Sequence, residues 1–423
     1  MKKLITIFLV LTIPLIAQNI NGRISSSFYT FERAESKDVS NKFLRSYQYG
    51  QFNINKGWFT LRTTLIVEQD LIKKIKYDPR LRLFNLYAEA RDILKLATIR
   101  VGRQPLYHSV ASGLFDGVSL DLKYWKLKLS GYYGGNVPAY QKFGLISDWK
   151  NNYLFGGKLQ GQVGNLFFGV GYLNKNYKSE DYLATRLDQN FNPVTVLVQP
   201  GSTQYEFVNA ELGYDFKKVS LNSRLFYDLN FNKVSRFEFS GDANLYKNLG
   251  LSIYYAYREP LIRYNSYFTI FESLVQNNQE VELGLNYRLN SSISINGKYG
   301  LVKYTDDNSS RIAFGIATPY GMISYAKNFG YAGELDALSL YTNYRLLNGL
   351  VTPSMGLGYS NYKFSSTSPK NTALYVLFGT NVRPWRILSF DLQGQYLNNK
   401  IYKNDFRFFF KINYWFNTNL NVF

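Results

Sequence analysis

The stretch QEVELGLNYRLNSSISINGKYGLVKY, residues 279–304, alternates strictly in polarity. Val281, Leu283 and Leu285 are apolar, and the residues between them are small or polar; after Ser291 and Ser292 the alternation restarts. Because successive side chains of a β-strand point to opposite faces, this period of two predicts two strands, each with one apolar and one polar face.

Length and composition favour a large β structure. The chain has 423 residues, enough for two ordinary domains or one large sheet, and 17% of them are aromatic. Aromatic side chains favour strands. The chain has no Cys, which excludes disulfides, thiolate sites and a lipidated N-terminal Cys.

The N-terminus predicts export. Lys2 and Lys3 precede an apolar segment over residues 4–17, the pattern of a signal peptide. At ~14 residues this segment is short for the alternative, a membrane anchor. We therefore expect a signal peptide at 1–17 and a single domain at 18–423.

Alternation and turn residues together predict 22 strands along the chain. The predicted ranges are 23–32, 43–54, 57–68, 81–91, 96–103, 114–123, 126–135, 152–163, 166–176, 204–216, 219–230, 234–246, 250–258, 279–290, 292–304, 311–318, 322–329, 336–346, 350–363, 372–382, 386–397 and 405–416. The hairpins at 96–123 and 311–329 have the weakest patterns; without either one, 20 strands remain, and a porin-like 16 or 18 is the other alternative.

Connection lengths point to a membrane barrel. Every second connection is very short, as at 55–56 and 164–165, whereas the others vary and include long loops such as 136–151 and 177–203. Short turns on one rim and long loops on the other are typical of outer-membrane barrels. We therefore predict an all-β fold: one antiparallel transmembrane β-barrel, with short periplasmic turns, long extracellular loops and both termini on the periplasmic side.

In such a barrel the apolar faces contact lipid and the polar faces line the lumen. A soluble barrel would reverse this arrangement. The polar set contains Gly, Ser, Asn, Gln and charged residues, which suits a water-filled lumen, and Tyr residues near strand ends suit interfacial girdles.

Charge is strongly basic, with a formal net charge of +19. Strand parity assigns a set of bases inward as candidate pore-lining residues: Arg62, Arg100, Lys126, Lys128, Lys158, Arg224, Arg236, Arg288, Lys298, Arg407 and Lys411. The inward acids are Glu68, Glu89, Asp121, Asp228, Glu238, Asp242 and Glu282.

Two interpretations of these charges stay open. A basic channel attracts anions, and Arg100 with Lys128 would supply uncompensated charge near mid-height. Alternatively, opposite charges pair across neighbouring strands and only solvate the wall. Basic residues at the rims, such as Lys73 and Lys74, would contact anionic lipid headgroups.

No enzyme site is predicted. His108 is the only His and Ser109 its neighbour, but adjacent residues of a strand point apart, and no acyl-transfer motif surrounds them. One His and no Cys argue against a transition-metal site. We predict no catalytic residue, no metal, no cofactor and no nucleic-acid partner.

The lumen of so wide a barrel would need filling. The first strand begins soon after residue 17, so no folded plug domain is expected before it. The loops 177–203 and 259–278 are candidates to narrow the mouth. The second loop is rich in apolar residues, and its alternative position is a membrane-facing rim.

Residues 97–124, ATIRVGRQPLYHSVASGLFDGVSLDLKY, resemble a segment of the alginate-export and related outer-membrane porin families. In those families a strand ends in Gly-Arg-Gln and a later Phe-Asp-Gly opens the next strand; here these are Gly102 to Gln104 and Phe115 to Gly117. The resemblance implies a substrate-conducting barrel with basic pore residues, which makes Arg100 and Arg103 candidates. Parity places Arg103 on the opposite face from Arg100, so the alternative is that Arg103 and Asp116 pair to hold the loop.

The last strand, DFRFFFKINYWF, alternates well, but the polar run NTNLNV interrupts the approach to Phe423. Either Phe416 ends the closing strand and a tail follows, or a bulge resets the register.

The sequence predicts a bacterial outer-membrane channel for small solutes, anions among them. The alternatives are transport of amphipathic or apolar ligands and a closed structural or adhesive barrel. The expected partners are outer-membrane lipids, small solutes and the barrel assembly machinery; the oligomeric state is not predicted.

Overall fold

A computed structural model describes residues 18–36, 39–74, 78–107, 112–138, 143–178, 181–187, 192–199, 202–259, 277–305, 307–330, 334–363 and 367–420. Within these ranges the chain forms one antiparallel sheet of 22 strands and a separate two-stranded hairpin. The predicted signal peptide and His108 lie outside the described residues.

The strands are numbered in chain order. Their bounds are β1 Gln18–Ser36, β2 Val39–Lys56, β3 Phe59–Asp70, β4 Arg80–Ile93, β5 Ala97–Tyr107, β6 Ser112–Tyr124, β7 Leu127–Val137, β8 Tyr153–Val163, β9 Leu166–Lys178, β10 Tyr182–Leu187, β11 Pro193–Val198, β12 Ser202–Phe216, β13 Val219–Asp228, β14 Lys233–Tyr246, β15 Leu249–Arg258, β16 Asn278–Arg288, β17 Ser294–Tyr304, β18 Asn308–Thr318, β19 Gly321–Gly330, β20 Leu335–Asn343, β21 Val351–Tyr362, β22 Asn371–Trp385, β23 Leu388–Asn398 and β24 Asp405–Leu420.

The sheet closes on itself because its first and last strands pair. Their register runs without a shift from Gln18 opposite Leu420 to Tyr29 opposite Phe409. Both expectations for the C-terminus are therefore wrong: the closing strand continues past Phe416 and carries no bulge. The polar run fits because the Asn19 side chain donates a hydrogen bond from Nδ2 to Asn417 Oδ1 at 2.7 Å.

The prediction of 22 barrel strands is confirmed, and both weakly patterned hairpins are formed, as β5–β6 and β18–β19. The rims also differ as expected. Turns such as 57–58, 125–126 and 164–165 lie on the rim that carries both termini, and we call this the short-turn rim. The opposite, long-loop rim carries the extended connections, among them 138–152.

The two faces of the sheet differ in chemistry. Leu283 and Leu285 are 48% and 54% exposed on the convex outer face, which carries many other exposed apolar side chains. The opposite face is concave and is lined in its recesses by residues such as Glu211, Arg224 and Ser240. Among the described residues, no helix is long and apolar enough to span a membrane.

One long loop contains structure that the sequence pattern did not predict. Within 177–203, strands β10 and β11 pair from Tyr182 opposite Val198 to Leu187 opposite Pro193. Leu183 and Leu197 on this hairpin are exposed. The other candidate for narrowing the mouth, 259–278, lies almost wholly outside the described residues.

Candidate functional site

Ion pairs on strands β3 to β7 join into one cluster on the inner wall, which we call the β3–β7 cluster. Arg100 Nε donates to Glu89 Oε2 at 2.6 Å, and Arg100 Nη1 donates to Asp121 Oδ2 at 2.9 Å. Glu89 also pairs with Arg62 at 3.4 Å and with Arg91 at 3.2 Å. Lys128 lies 3.5 Å from the second oxygen of Asp121. Four cations therefore share two carboxylates.

Three smaller clusters continue around the wall. In the first, Lys158 and Arg224 form ion pairs with Glu211. In the second, Arg236 and Arg258 pair with Glu238. In the third, Lys298 pairs with Glu282, and Arg311 pairs with both Glu280 and Glu282. Cross-strand register places these partners on one face of the sheet, since Glu211 is opposite Arg224 and Arg224 is opposite Glu238. Strand pairing thus converts alternation along each strand into charge contacts around the lumen.

The acids and bases of these clusters differ in exposure. The carboxylate side chains are between 4% exposed at Glu89 and 18% at Glu280. The cationic side chains are between 28% exposed at Arg100 and 55% at Arg224, apart from Lys158 at 11%. Within these four clusters the carboxylates therefore lie behind the cations, and the cations are the more accessible charges.

One premise of the predicted selectivity is wrong. Arg100 and Lys128 do not supply uncompensated charge, because Asp121 contacts both and Glu89 contacts Arg100. Pairing across neighbouring strands, the alternative interpretation, describes their immediate surroundings. The cations of the β3–β7 cluster are nevertheless more exposed to the lumen than the carboxylates with which they pair.

Several predicted inward residues lie at the edges of the wall. Lys126 lies in the two-residue turn between β6 and β7, not within a strand, with its Nζ 5.6 Å from the ring centre of Trp125. Arg288 is the last residue of β16. Asp228 is fully buried, and its Oδ1 accepts hydrogen bonds from the backbone N–H groups of Asn230 and Phe231. Asp228 therefore orders the β13–β14 connection.

The C-terminal strand adds two of the predicted bases. Arg407 Nε donates to Asp405 Oδ2 at 2.7 Å, and its Nη1 donates to the Tyr29 hydroxyl at 3.2 Å across the closure of the barrel. Lys411 lies opposite Asp391 in register. Arg407 therefore links the last strand to the first.

The motif behind the family resemblance forms a cross-strand unit of β5 and β6. Gly102 is opposite Gly117, Arg103 is opposite Asp116, and Gln104 is opposite Phe115. Gly102 has φ +124°, a conformation that favours glycine. At Gly117 an added Cβ would lie 2.1 Å from the Tyr133 carbonyl oxygen, so the close approach of β6 and β7 requires glycine there.

The candidate pore residue Arg103 is fully buried and faces away from the lumen. Its Nη2 donates to Asp116 Oδ2 at 2.7 Å and to the Gly144 carbonyl oxygen at 2.6 Å. Asp116 Oδ2 also accepts a hydrogen bond from the Ile146 backbone N–H at 2.7 Å. The ion pair thus holds segment 143–149, and the alternative interpretation of the motif is the one that the geometry supports.

Segment 143–149 lies against the outer face of β7. Trp149 packs edge-on against Tyr133, with ring centres 5.4 Å apart, and Tyr133 is opposite the exposed Val118. The segment covers an ion pair that would otherwise meet the surroundings of the barrel. Parity alone correctly placed Arg103 opposite to Arg100, but nothing local revealed what covers it.

The inner wall also contains an apolar patch. Leu106, Phe115, Tyr132, Leu154 and Leu173 form a buried cluster. Tyr132 lies four residues from Lys128 on β7, and Leu154 lies four residues from Lys158 on β8. Alternation along each strand therefore predicts that both side chains point inward, like those lysines. The expectation that inward residues are polar does not hold for this part of the wall.

Sequence reasoning missed other wall residues. Arg91 and Glu211 follow the inward parity of their strands, and a complete parity count would have found them. Tyr107 could not be found in this way. It lies an odd number of residues after the inward Arg100, so alternation along the strand predicts that its side chain points outward. In the structure Tyr107 lines the same recess as Arg62 and Arg100.

Metal-site geometry is not found in the described part of the chain. No group of three or more His, Cys, Asp or Glu side chains there is arranged to hold a metal ion. The chemistry of the wall is instead that of paired guanidinium, ammonium and carboxylate groups.

Comparison with known proteins shows the fold alone. No family model and no curated protein matches the chain. A mutant of the ferric enterobactin receptor PfeA from Pseudomonas aeruginosa aligns with a TM-score of 0.59 and 8% identity, over 95% of this chain and 80% of the receptor. The translocation pore of the P pilus usher PapC aligns with a TM-score of 0.48 and 10% identity, over 94% of this chain and 99% of the usher chain. OccAB3 from Acinetobacter baumannii aligns with a TM-score of 0.43 and 10% identity, over 94% of this chain and 99% of OccAB3.

The likeness to PfeA agrees with the closed barrel and assigns no solute. The resemblance of residues 97–124 to the alginate-export family stays a prediction.

Proposed function

We propose that the protein is an outer-membrane channel that passes small solutes and prefers anions. The observation that carries the proposal is the arrangement of the wall clusters, in which carboxylates lie behind exposed cations. A solute in the lumen meets the guanidinium and ammonium groups first. In a low-dielectric channel such groups raise the local concentration of anions.

The balance of charge supports the same direction. The β3–β7 cluster joins four cations to two carboxylates, and Glu238 is shared by Arg236 and Arg258. Paired charges of equal number would give a neutral wall. An excess of bases with buried acids gives a positive one.

The outer-membrane location rests on the outer face of the barrel. Apolar side chains such as Leu251, Leu285 and Phe314 are exposed there, and a wet exterior would leave them in water. Closure pairs the backbone groups of every neighbouring strand, which a bilayer requires of any spanning sheet.

Planar-bilayer recording of the refolded protein tests the proposal. We expect stable ohmic current steps and, in a KCl gradient, a reversal potential that indicates preference for chloride. Arg224→Gln removes the most exposed cation of the four clusters and should reduce that preference. Absence of current steps would support a closed structural barrel, and a reversal potential indicating cation preference would overturn the assignment of anions.

A further inference from the structure

A recess of about 350 Å³ lies in the inner wall of β14 to β17, near the short-turn rim. We call it the Gly250 recess. Its lining includes Asp242, Asn244, Asn248, Gly250, Ser252, Gly284, Asn286, Arg288, Asn296 and Lys298. Sites for small ligands commonly have volumes of roughly 300–1,000 Å³. Unlike the β3–β7 cluster, this part of the wall consists mainly of glycine, serine and amide side chains.

Two glycines form the floor of the recess. Strand register places Gly250 between Asn244 and Asn286, and it places Gly284 opposite Ser252 on the neighbouring strand. A Cβ added at Gly250 would have its nearest neighbours at 3.9 Å, an ordinary contact distance. The packing of the strands therefore does not require glycine at position 250, and the space above it is open to a solute.

The side chains beside this floor have unused hydrogen-bonding groups. Within the described part of the chain, Asp242, Asn244 and Asn286 make no side-chain hydrogen bond or ion pair, and all three are exposed. An amide both donates and accepts hydrogen bonds, whereas a carboxylate accepts them. The recess thus offers donors and acceptors next to one another.

The cations of the lining lie at its edges or are already paired. Lys247 lies in the turn between β14 and β15, and Arg288 is the last residue of β16. Lys298 Nζ lies 2.8 Å from Glu282 Oε1. Directly beside the glycine floor, the described strands therefore place amides and one carboxylate, a set that suits a neutral solute better than an anion.

We infer that the Gly250 recess binds neutral polyhydroxylated solutes, the chemical class of sugars and polyols. Asn244 and Asn286 flank a single strand, so their backbones lie about 10 Å apart. With a hydrogen bond of ~2.9 Å on each side, two hydroxyl oxygens about 4 Å apart would contact both amides. One polyol molecule provides such a pair of hydroxyls.

The same polyol would donate a further hydroxyl to Asp242, which lies two residues from Asn244 on β14. A solute in which every hydroxyl can both donate and accept uses this mixed set fully. The inference goes beyond the preference for anions. It rests on the proposed function, because the recess opens to the lumen and a solute reaches it through the channel.

Titration of the folded protein in detergent, followed by saturation-transfer-difference NMR, tests this inference. The probes are myo-inositol and 1,4-cyclohexanediol, two neutral six-carbon rings that differ in their number of hydroxyl groups. Inositol should bind about tenfold more tightly than the diol, the effect of one to two net hydrogen bonds. Asn286→Ala removes one amide and should weaken the binding of inositol about fivefold.

Filling the recess gives a second test. Gly250→Met places a side chain in the open space without displacing the backbone, and it should abolish the preference for inositol. Gly358→Met is the matched control. Gly358 is an inward position of β21 outside the recess, where an added Cβ would lie 3.8 Å from its nearest neighbour, and this variant should bind inositol like the unchanged protein.

Equal affinities for inositol and the diol, or a Gly250→Met protein that still prefers inositol, would overturn the inference. The NMR titration measures binding without conduction. Missing current steps in planar bilayers would therefore contradict the channel, whereas current steps without a preference for inositol would contradict only the recess.

Discussion

Arg103 and Asp116 form a bidentate ion pair beneath segment 143–149: Nε lies 2.6 Å from Oδ1, and Nη2 lies 2.7 Å from Oδ2. Both side chains are buried, and the backbone of Gly144 and Ile146 completes their hydrogen bonding. The most motif-like charges of the chain therefore hold a loop to the barrel wall, and the charges that face the lumen are less conspicuous in the sequence.

Removal of Arg103 should destabilise the barrel. Arg103→Met leaves Asp116 buried without its cation, and losing one partner of a buried pair typically costs about 3–5 kcal/mol. Urea unfolding of the refolded protein measures the change in the free energy of unfolding. The double variant Arg103→Met/Asp116→Leu should be more stable than the single variant, because no uncompensated charge remains.

The same Arg103→Met protein should keep the reversal potential of the unchanged channel, since the Arg103 guanidinium does not reach the lumen. A single variant as stable as the unchanged protein would contradict the role of the pair. A shifted reversal potential would indicate that the Arg103 guanidinium does contact the lumen.

Charge changes within one cluster should move ion preference in opposite directions. Arg236→Gln should lower the preference for chloride, and Glu238→Gln should raise it, because the carboxylate restrains Arg236 and Arg258 from behind. Reversal potentials in a KCl gradient measure both effects. The preference should also weaken toward 1 M salt, where the screening length is ~3 Å. Equal shifts in one direction would show that the wall is not organised in this way.

Lipid-facing parity is testable at neighbouring positions of β16. Leu285→Arg places a cation on the outer face, at a cost of ~2–4 kcal/mol near the bilayer midplane, whereas Asn286→Arg places it toward the lumen. The yield of folded protein in membranes should fall for the first variant and stay near normal for the second. Similar yields would argue that this face of β16 does not contact lipid.

The orientation of the barrel is testable by cysteine labelling, since the chain has no Cys of its own. A Cys at Thr195 on the β10–β11 hairpin should react with a membrane-impermeant maleimide on intact cells. Cys at Asn165 or Asn348, both on the short-turn rim, should react only after the outer membrane is opened. Labelling of Asn165→Cys on intact cells would invert the predicted topology.

The sequence by itself determined the barrel. Period-two alternation is a local property of each strand, so Val281 to Leu289 revealed their outward face without any knowledge of their neighbours. Turn lengths are equally local, and they separated the two rims. The same parity put Glu89, Arg100 and Asp121 on the inner face.

Only the tertiary structure decided which charges meet and which are covered. Contacts such as Arg100 with Glu89 depend on register between strands, and the burial of Arg103 depends on a loop more than 40 positions along the chain. Tyr107 escaped parity because it is the last residue of β5, where regular alternation ends. These features arise from packing between distant segments. The residue pattern along a single strand cannot predict such packing.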